Sequence, residues 1–344
     1  MNRSFIIFTS LLALTWVSCQ PSRPSASQSA TYRVAFYNVE NLFDTIDDPD
    51  IQDEEFLPTG KNVWTAERYQ IKLDKLSRVI VALDSASGGP DMLGLCEIEN
   101  KAVLEDLVKT KALQAQGYAI AHHSSPDERG IDVAMIYKEK SFTYEGQEAY
   151  RLVVPDEPEF LTRDALMVYG KVGGERLHLF INHFPSRSGG QEASEKYRVM
   201  VAQLVRAKVD SLLAADAQAK FVIMGDFNDM PHNKSIKQVL NTTGSIDSLN
   251  ATNLLNPFGP MHRSGLGTYN YRGDWNMLDQ IILSQSLVKG KGLQAVVSSS
   301  GILQAEWMKQ QEGNYKGYPD RTYAGPRYLG GYSDHFPVYI DLVK

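Results

Sequence analysis

The chain has 344 residues, of which 43% are hydrophobic and 22% charged, as is usual for a globular protein. Its formal net charge is −6, which argues against a general electrostatic attraction to nucleic acid. A polyanionic substrate would therefore have to be bound by local basic groups and metal ions. Once the first thirty residues are set aside, the remainder is long enough to bury a large core in a single domain.

The N-terminus has the pattern of an export signal. An apolar run at residues 5–17 follows Arg3, and it is too short to span a bilayer but typical of a signal peptide. Ser18-Cys19 follows, and a small residue before cysteine is what a bacterial lipoprotein signal peptidase requires. Trp16 stands where leucine is usual, which leaves ordinary secretion open. We predict a signal peptide at 1–18, a disordered Ser/Pro-rich tether at 19–31 and one domain at 32–344.

These features predict an exported protein, anchored to a membrane of the bacterial envelope through lipid on Cys19 or, alternatively, secreted or periplasmic. Cys96 is the only other cysteine. If Cys19 carries lipid, no disulfide is possible, and Cys96 at the end of an apolar run is predicted to be a small buried hydrophobic residue.

The rest of the chain alternates between strand and helix patterns. Thr65 is a candidate N-cap for a helix over residues 66–83, and Asn100 for a second helix to about residue 113. A long helix over 191–213 is predicted to bury Met200, Leu204 and Val205. Strands are predicted at 33–39, 92–96, 132–137, 165–172, 176–182, 221–224, 280–283 and 338–342. Such a mixture favours two central sheets packed face to face with helices outside.

Polar residues stand at the ends of the apolar runs, in six short blocks: Asn38 with Glu40, Glu97, His183, Asp226 with Asn228, Asp279, and Asp334 with His335. Each block alone is weak evidence. In this order, over about residues 32 to 344, they resemble the endonuclease/exonuclease/phosphatase superfamily. The resemblance implies an α/β four-layer sandwich, in which two central mixed β-sheets are flanked by helices, as in pancreatic deoxyribonuclease.

The carboxylates point to a hard divalent cation, because Mg²⁺ prefers carboxylate and carbonyl oxygens and water. By the resemblance, Glu97 is the principal ligand of Mg²⁺ or Mn²⁺, with Asp334, Asn38 and Glu40 in or beside the coordination shell. Glu40 departs from the family pattern, in which several members have Asp.

The resemblance also implies roles in phosphoryl chemistry. Asp226 would orient or deprotonate the attacking water, and Asn228 would hold that water or a phosphate oxygen. In an extended chain these two side chains point to one side while Phe227 points to the core. His335 would contact the phosphate with its tautomer fixed by Asp279, and His183 would be a second phosphate contact or a proton donor.

Two further segments are candidates for substrate contact. Arg187, in a glycine-rich turn after His183, and Arg129 are candidate phosphate-binding residues, although a surface salt bridge is an equal alternative for each. Residues 307–332 contain five tyrosines with Arg321 and Arg327. This composition suits base stacking at the cleft mouth, or a packed loop with tyrosine hydroxyls bonded to the backbone, which is slightly favoured.

These observations predict a divalent-metal-dependent phosphoesterase that cleaves phosphodiesters by in-line attack of an activated water, nuclease-like in its substrate. A phosphomonoesterase or phospholipase acting on sugar, inositol or lipid head groups is the first alternative. A non-catalytic binding lipoprotein on the same fold is the second. The expected partners are a phosphate-ester substrate, for which nucleic acid is one candidate, and the membrane; no protein partner is implied, and a monomer is expected.

Overall fold

A computed structural model describes Met1 and residues 30–344. The predicted signal peptide, Cys19 and nearly all of the predicted tether lie outside the described residues. Among the described residues, no helix has both the length and the apolar character needed to cross a membrane.

The described domain contains both strands and helices along its whole length. The strands are β1 (Thr31–Leu42), β2 (Met92–Ile98), β3 (Tyr118–His122), β4 (Asp132–Lys138), β5 (Thr143–Tyr150), β6 (Ala165–Val172), β7 (Glu175–His183), β8 (Phe221–Asp226), β9 (Thr242–Thr243), β10 (Leu254–Leu255), β11 (Tyr269–Tyr271), β12 (Asp274–Asn276), β13 (Asp279–Leu283), β14 (Gln294–Ile302), β15 (Tyr323–Ala324), β16 (Arg327–Tyr328) and β17 (Val338–Val343). The helices are α1 (Ala66–Leu83), α2 (Lys101–Lys109), α3 (Gln191–Ala215), α4 (Phe258–Arg263) and α5 (Gln285–Lys289), with a π-helical turn at Ser235–Val239 and short 3-10 turns at Glu54–Phe56, Glu306–Met308 and Gly313–Tyr315.

The larger strands form two mixed sheets. One sheet has the order β14-β17-β1-β2-β4-β3, and the other has the order β5-β6-β7-β8-β13-β10-β9. β1 and β2 are parallel at the centre of the first sheet, and β7 and β8 are parallel at the centre of the second. The pairs β11-β12 and β15-β16 are separate hairpins.

The two sheets pack face to face around a shared core, to which Phe36 and Met224 contribute from opposite sheets. On the outer face of the first sheet, α1 and α2 bury leucine and valine side chains. On the outer face of the second sheet, α3 does the same through Val201, Val205 and Val209. This helix-sheet-sheet-helix layering confirms the predicted four-layer α/β sandwich.

Local signals placed the first two helices correctly at their N-termini. The Thr65 side chain accepts a hydrogen bond from the backbone N–H of Arg68, and the Asn100 side chain accepts one from that of Val103. The first helix has the predicted bounds. The second ends at Lys109, before the predicted residue 113, because Thr110 leaves the helical conformation.

The predicted buried face of α3 was wrong in part. Val205 is buried, but Met200 and Leu204 are only half-buried. The fully buried face instead runs through Ser194, Arg198, Val201, Ala202, Val205 and Val209. A buried arginine does not register in a hydrophobic pattern, so the stripe was predicted one position out of place.

All eight predicted strands are present, each with ends within a few residues of those predicted. β3, β5 and β14 were missed, and all three lie at sheet edges. β5 is mostly exposed and β14 half-buried along its length, so neither carries the apolar pattern of a central strand. Cys96 is fully buried, and burial raises the pKa of its thiol well above the ordinary range, which agrees with the prediction of a structural residue.

Candidate active site

The strand register brings three of the predicted catalytic residues side by side. His183 at the end of β7 is paired with Asp226 at the end of β8, and Asp226 is paired in turn with Asp279 at the start of β13. All three therefore lie at one edge of the seven-stranded sheet. Their side chains are at most 5% exposed.

The six-stranded sheet supplies the opposing residues through irregularities in β1 and β2. The pairing of these strands shifts register between Asn38 and Leu42, and that of β2 with β4 shifts around Glu97. Glu40 and Glu97 have positive φ angles of 52° and 61°, in the left-handed region that residues other than glycine rarely adopt. Such bulges re-aim side chains, and strained backbone of this kind concentrates at functional sites.

Asn38 joins the two sheets at the centre of the site. Its Nδ2 donates to Asp226 Oδ2 (3.0 Å) and lies 3.5 Å from Glu97 Oε1. Its Oδ1 accepts from the backbone N–H of Glu40 (2.9 Å), which fixes the orientation of the amide. Glu97 Oε2 accepts from the backbone N–H of Asn41 (3.0 Å).

His335 and Asp279 form the predicted pair. His335 Nδ1 lies 2.6 Å from Asp279 Oδ2, and both side chains are buried. Burial opposes protonation of the imidazole, but the carboxylates of Asp279 and Asp226 outweigh it and raise the His335 pKa well above its ordinary value. Ser333 positions the turn, since its Oγ accepts from the His335 backbone N–H (3.1 Å) and donates to the Asn38 carbonyl (2.7 Å). His335 is thus a charged donor at neutral pH.

His183 has the opposite electrostatic environment. Burial, together with the positive charges of Arg163 and Arg129, lowers its pKa well below the ordinary range. Its Nε2 lies 3.7 Å from Asp226 Oδ2 and 3.9 Å from Glu97 Oε1. A neutral imidazole can contact a phosphate oxygen but is a poor proton donor. Of the two predicted roles for His183, the electrostatics favour the phosphate contact.

Asp226 lies between the two histidines. His335 Nε2 is 3.9 Å from Asp226 Oδ2, whereas the other ring nitrogen of His335, Nδ1, is bonded to Asp279. Burial raises the pKa of Asp226, although the charge of His335 opposes the shift. A carboxylate with a raised pKa is a better proton acceptor, which suits the predicted role of activating a water.

Asn228 and Arg187 are tied to the same loop. Asn228 has φ of 48°, so the segment turns after Asp226 and is not extended as predicted, although Asn228 still lines the cleft and Phe227 is fully buried. The Asn228 Nδ2 donates to the Phe184 carbonyl (3.0 Å). Arg187 Nε donates to the Asn228 carbonyl (2.7 Å), which holds the guanidinium against the loop.

Most of the predicted residues line one cleft of about 550 Å³, whereas Asn38 and Asp279 are buried and do not line it. Its walls are formed by Glu97, Arg129, His183, Ser186, Arg187, Gly190, Gln191, Asp226, Asn228, Tyr269, Tyr271, Asn276, Leu278, Asp334 and His335. Arg129 is a half-exposed side chain that hydrogen-bonds Asn41 Oδ1 and lies 3.8 Å from Glu97 Oε2. Both predicted substrate arginines therefore reach the cleft.

Two tyrosines of the β11-β12 hairpin were missed by the sequence analysis. The Tyr269 ring lies 4.9 Å from the His335 ring, and Tyr271 is a half-exposed wall residue. No residue of the 307–332 segment lines the cleft as described. Its tyrosines pack instead, with the Tyr323 hydroxyl donating to the Asn62 carbonyl and the Tyr332 hydroxyl accepting from Arg78. The alternation Tyr269-Asn270-Tyr271 before Asp279 was the available signal.

Glu40 does not face the cleft. It lines a separate cavity of about 240 Å³, and its Oε2 accepts from the backbone N–H of Thr322 (2.6 Å). Burial and the nearby Asp334 raise its pKa to about 7. The Arg321 side chain contacts both Glu40 and Asp334, so the 307–332 segment touches the site on the side of these two carboxylates without lining the cleft.

Two sets of donors fit a divalent cation. Glu97 and Asp334 both present carboxylates to the cleft, and Glu97 Oε1 has only the long contact with Asn38. Oxygen-only donors of this kind suit Mg²⁺ or Mn²⁺. Asp226, Asp279 and His335 also bring one potential ligand atom each within 4.8 Å of one another. The His335 Nδ1 is bonded to Asp279, so Nε2 is the atom that this second set offers to a metal. The first set fits Mg²⁺ or Mn²⁺ better because it presents oxygen donors and no imidazole nitrogen.

A family model described as "Endonuclease/Exonuclease/phosphatase family" matches residues 33–344. The chain belongs to the endonuclease/exonuclease/phosphatase family. This confirms the resemblance carried by the six blocks, and the family is one of metal-dependent phosphoesterases. No curated protein matches the sequence.

Solved structures agree with the fold. The chain is similar to a humanized D. rerio TDP2, with 15% identity and a TM-score of 0.56 over 91% of this chain and 98% of that one. It is similar to a Bacteroides thetaiotaomicron mannosyl-6-phosphatase, with 18% identity and a TM-score of 0.56 over 91% and 100%. The human Nocturnin catalytic domain matches with 16% identity and a TM-score of 0.50 over 93% and 99%.

Proposed function

We propose that this protein hydrolyses phosphodiester bonds by in-line attack of a water activated by Asp226. The observation that carries the proposal is the placement of Asp226 within 4 Å of two histidines with opposite pKa shifts. A base, a charged donor and a neutral donor thus converge on a single point of the cleft. Phosphoryl transfer needs these functions and requires no protein nucleophile.

Mg²⁺ or Mn²⁺, held by Glu97 and Asp334 with Asn38 beside them, would supply charge neutralisation of the phosphate oxygens. The chain's own residues do the rest. Asp226 is kept in place by the Asn38 amide (3.0 Å) and the Asn228 backbone N–H (2.9 Å), and it accepts the proton of the attacking water. The raised Asp226 pKa assists that transfer.

The histidines bind the phosphate on either side of Asp226. His335 stays protonated, so that its Nδ1–H donates to Asp279 Oδ2 and its Nε2–H donates to the phosphate. His183 is neutral and contacts a second oxygen. Arg187 and Arg129 add positive charge at the cleft walls, where a diester chain would pass.

The cleft favours a diester over a small monoester. It extends from Glu97 past His335 to the Tyr269 and Tyr271 rings, which gives room for a group on each side of the phosphate. Exposed aromatic rings beside arginines suit a nucleotide chain. A nuclease-like substrate is therefore our first choice.

A sugar phosphomonoester is the second candidate. The observation in its favour is the likeness to the mannosyl-6-phosphatase, which spans that whole chain. A binding lipoprotein without catalysis fits less well, since His183, Asp226, Asn228 and His335 all line the cleft and Asp279 bonds His335.

One substrate panel tests the proposal. Purified protein is assayed on plasmid DNA, RNA, bis-p-nitrophenyl phosphate, phospholipid vesicles and mannose 6-phosphate, with Mg²⁺, with Mn²⁺ and with EDTA. Asp226→Asn is the matched control, because it keeps the side-chain shape and removes the base. Metal-dependent cleavage of a diester, absent in Asp226→Asn, is expected. Release of phosphate from mannose 6-phosphate alone would favour the second candidate.

We also propose that the protein is exported and anchored through lipid on Cys19. The support is the sequence pattern alone: an apolar run of signal-peptide length that ends at Ser18-Cys19. Full-length protein should fractionate with membranes, and Cys19→Ala should remove the lipid. A mature N-terminus other than a modified Cys19, measured by mass spectrometry, would exclude the anchor and leave ordinary secretion, without affecting the proposed chemistry.

A further inference from the structure

The Arg321 guanidinium lies between two of the carboxylates that were predicted to bind metal. Its Nη2 is 2.7 Å from Asp334 Oδ2, and its Nε is 3.5 Å from Glu40 Oε1. Two carboxylates that contact the same guanidinium are both stabilised as anions by the positive charge between them. In this chain that positive charge belongs to the Arg321 guanidinium and not to a metal ion.

Glu40 is committed to that arrangement on its other oxygen as well. Its Oε2 accepts from the Thr322 backbone N–H (2.6 Å) and lies 4.0 Å from Lys72 Nζ. Lys72 is buried and is fixed by donation to Thr322 Oγ1 (2.7 Å) and the Tyr332 carbonyl (2.8 Å). Glu40 therefore has a cationic or N–H partner on both oxygens.

Glu97 is different, because its free oxygen faces the cleft. Only its Oε2 accepts a short hydrogen bond, from Asn41, while Oε1 has the 3.5 Å contact with Asn38 and lies 3.9 Å from the neutral His183. Glu40 opens instead on the separate cavity. The Glu97 carboxylate can therefore accept a cation from the cleft, whereas the charge of the Glu40 carboxylate is already balanced by Arg321 and Lys72.

A guanidinium can replace a metal ion in such a position. It is always protonated, and its planar fork bonds two carboxylates at once. Sites with two metals hold the ions about 3.5–4 Å apart and use shared carboxylates as bridges. Here Asp334 lines the cleft together with Glu97 and also bonds Arg321.

We propose that Arg321 takes the place of a second divalent cation, so that the centre binds one cation, beside Glu97. Arg321 is then a positioning residue, which holds Asp334 toward the cleft. This inference rests on the proposed metal dependence, but its test needs no substrate.

Isothermal titration of the metal-free protein with Mn²⁺ tests the stoichiometry. Wild-type protein should bind one ion per chain at the site, and Arg321→Ala should gain a second, weaker ion between Glu40 and Asp334. Arg327→Ala is the matched control, because Arg327 is exposed in the same segment and makes no ion pair among the described residues. It should titrate as the wild type does.

Two results would overturn the inference: two ions bound by the wild type, or a single ion still bound by a folded Arg321→Ala. Absence of any Mn²⁺ binding would reject it together with the proposed metal dependence. If Arg321→Ala does not fold, anomalous scattering from wild-type crystals soaked in Mn²⁺ decides the matter. One peak beside Glu97 is expected, and a peak between Glu40 and Asp334 would contradict the proposal.

Discussion

Asp226 is the residue at which the two sheets and the two histidines meet. The Asn38 bond from β1 fixes one of its oxygens, and the Asn228 backbone fixes the other. His335 is held charged by two carboxylates, whereas His183 is held neutral by burial and two arginines. The chemistry therefore depends on differences between residues of the same type, which arise from their neighbours.

Glu97→Gln should lower activity by at least about tenfold, because it keeps the side-chain shape and removes the charge that attracts a hard cation. Raising the Mg²⁺ concentration should restore part of the loss. The measurement is the initial rate on bis-p-nitrophenyl phosphate across a metal titration, with circular dichroism as the folding control. Unchanged hydrolysis at limiting metal would remove Glu97 from the site.

His335→Ala and Asp279→Asn should each lower kcat by about 10²–10⁴-fold, since one removes the donor and the other the carboxylate that fixes and charges it. The double variant should be little worse than the more damaging single variant, because the two residues act as a unit. Steady-state kinetics on all three proteins gives the coupling. If the two losses multiply in full, with every variant folded, the residues act independently.

Most residues that line the proposed catalytic site were predictable from the sequence because each stands at the end of an apolar strand within a short motif. Arg321 was not, since its partner Glu40 lies at the other end of the chain and the 2.7 Å contact with Asp334 depends on how the intervening loop folds. Tyr269 and Tyr271 were missed for a different reason. They alternate around Asn270, but the two strands of their hairpin have only three residues each, which is too short for alternation to indicate a strand.

At the scale of elements, α3 holds the catalytic loop in place through a buried ion pair. Arg198 is fully buried, and its Nε lies 2.8 Å from Asp229 Oδ1, one residue after Asn228. Ser235 in the π-helical turn donates to the other Asp229 oxygen (2.6 Å). The helix thus fixes the turn that follows β8.

Arg198→Met should lower the free energy of unfolding by about 3–5 kcal/mol, because it removes the nearer of the two cations beside the buried Asp229 carboxylate and leaves Arg187 at 3.9 Å. Urea denaturation measures the change. Arg206→Met, on the same helix, is the control, because its partner Asp210 is a half-exposed carboxylate that water can solvate, so the pair should contribute at most about 1 kcal/mol. Equal effects of the two substitutions would mean that the buried pair has no special role.

The central strands were predictable because they are buried on both faces and read as continuous apolar runs. The edge strands β3, β5 and β14 were not, because half-buried or exposed strands owe their conformation to hydrogen bonds with a neighbour that the local sequence does not reveal. The buried face of α3 was predicted incorrectly for another reason: it includes Arg198, and a buried arginine does not appear in a hydrophobic pattern.

At the scale of the whole molecule, Glu175 links the two sheets at the edge away from the cleft. It begins β7, and it bonds Lys220 before β8, Lys344 after β17 and the backbone N–H of Leu293 before β14. Burial opposes ionisation of Glu175, but the hydrogen bonds from Lys220 and Lys344 outweigh it and lower the pKa to about 2.

A carboxylate with a lowered pKa stabilises the folded state above its ordinary pKa, near 4.5, and that contribution is lost as the pH falls toward 2. Glu175→Gln should therefore lower the melting temperature slightly at pH 7, by an amount equivalent to about 1 kcal/mol or less because the group is partly exposed. The gap between the two proteins should narrow from pH 5 to pH 2. A gap that stays constant over this range would contradict the assignment.

The four-layer architecture was predictable from alternating strand and helix patterns combined with the order of six motifs. The export signal and the lipid on Cys19 stay predictions, since they fall outside the described residues.

The most direct test of the proposed chemistry is the rate of bis-p-nitrophenyl phosphate hydrolysis by wild-type protein and Asp226→Asn, with Mg²⁺ and after its removal by EDTA. The wild type should cleave the diester only with metal, and Asp226→Asn should lose at least about 10²-fold in kcat while remaining folded. Metal-independent cleavage, or full activity in Asp226→Asn, would contradict the proposal that Asp226 activates a water at a divalent-metal site.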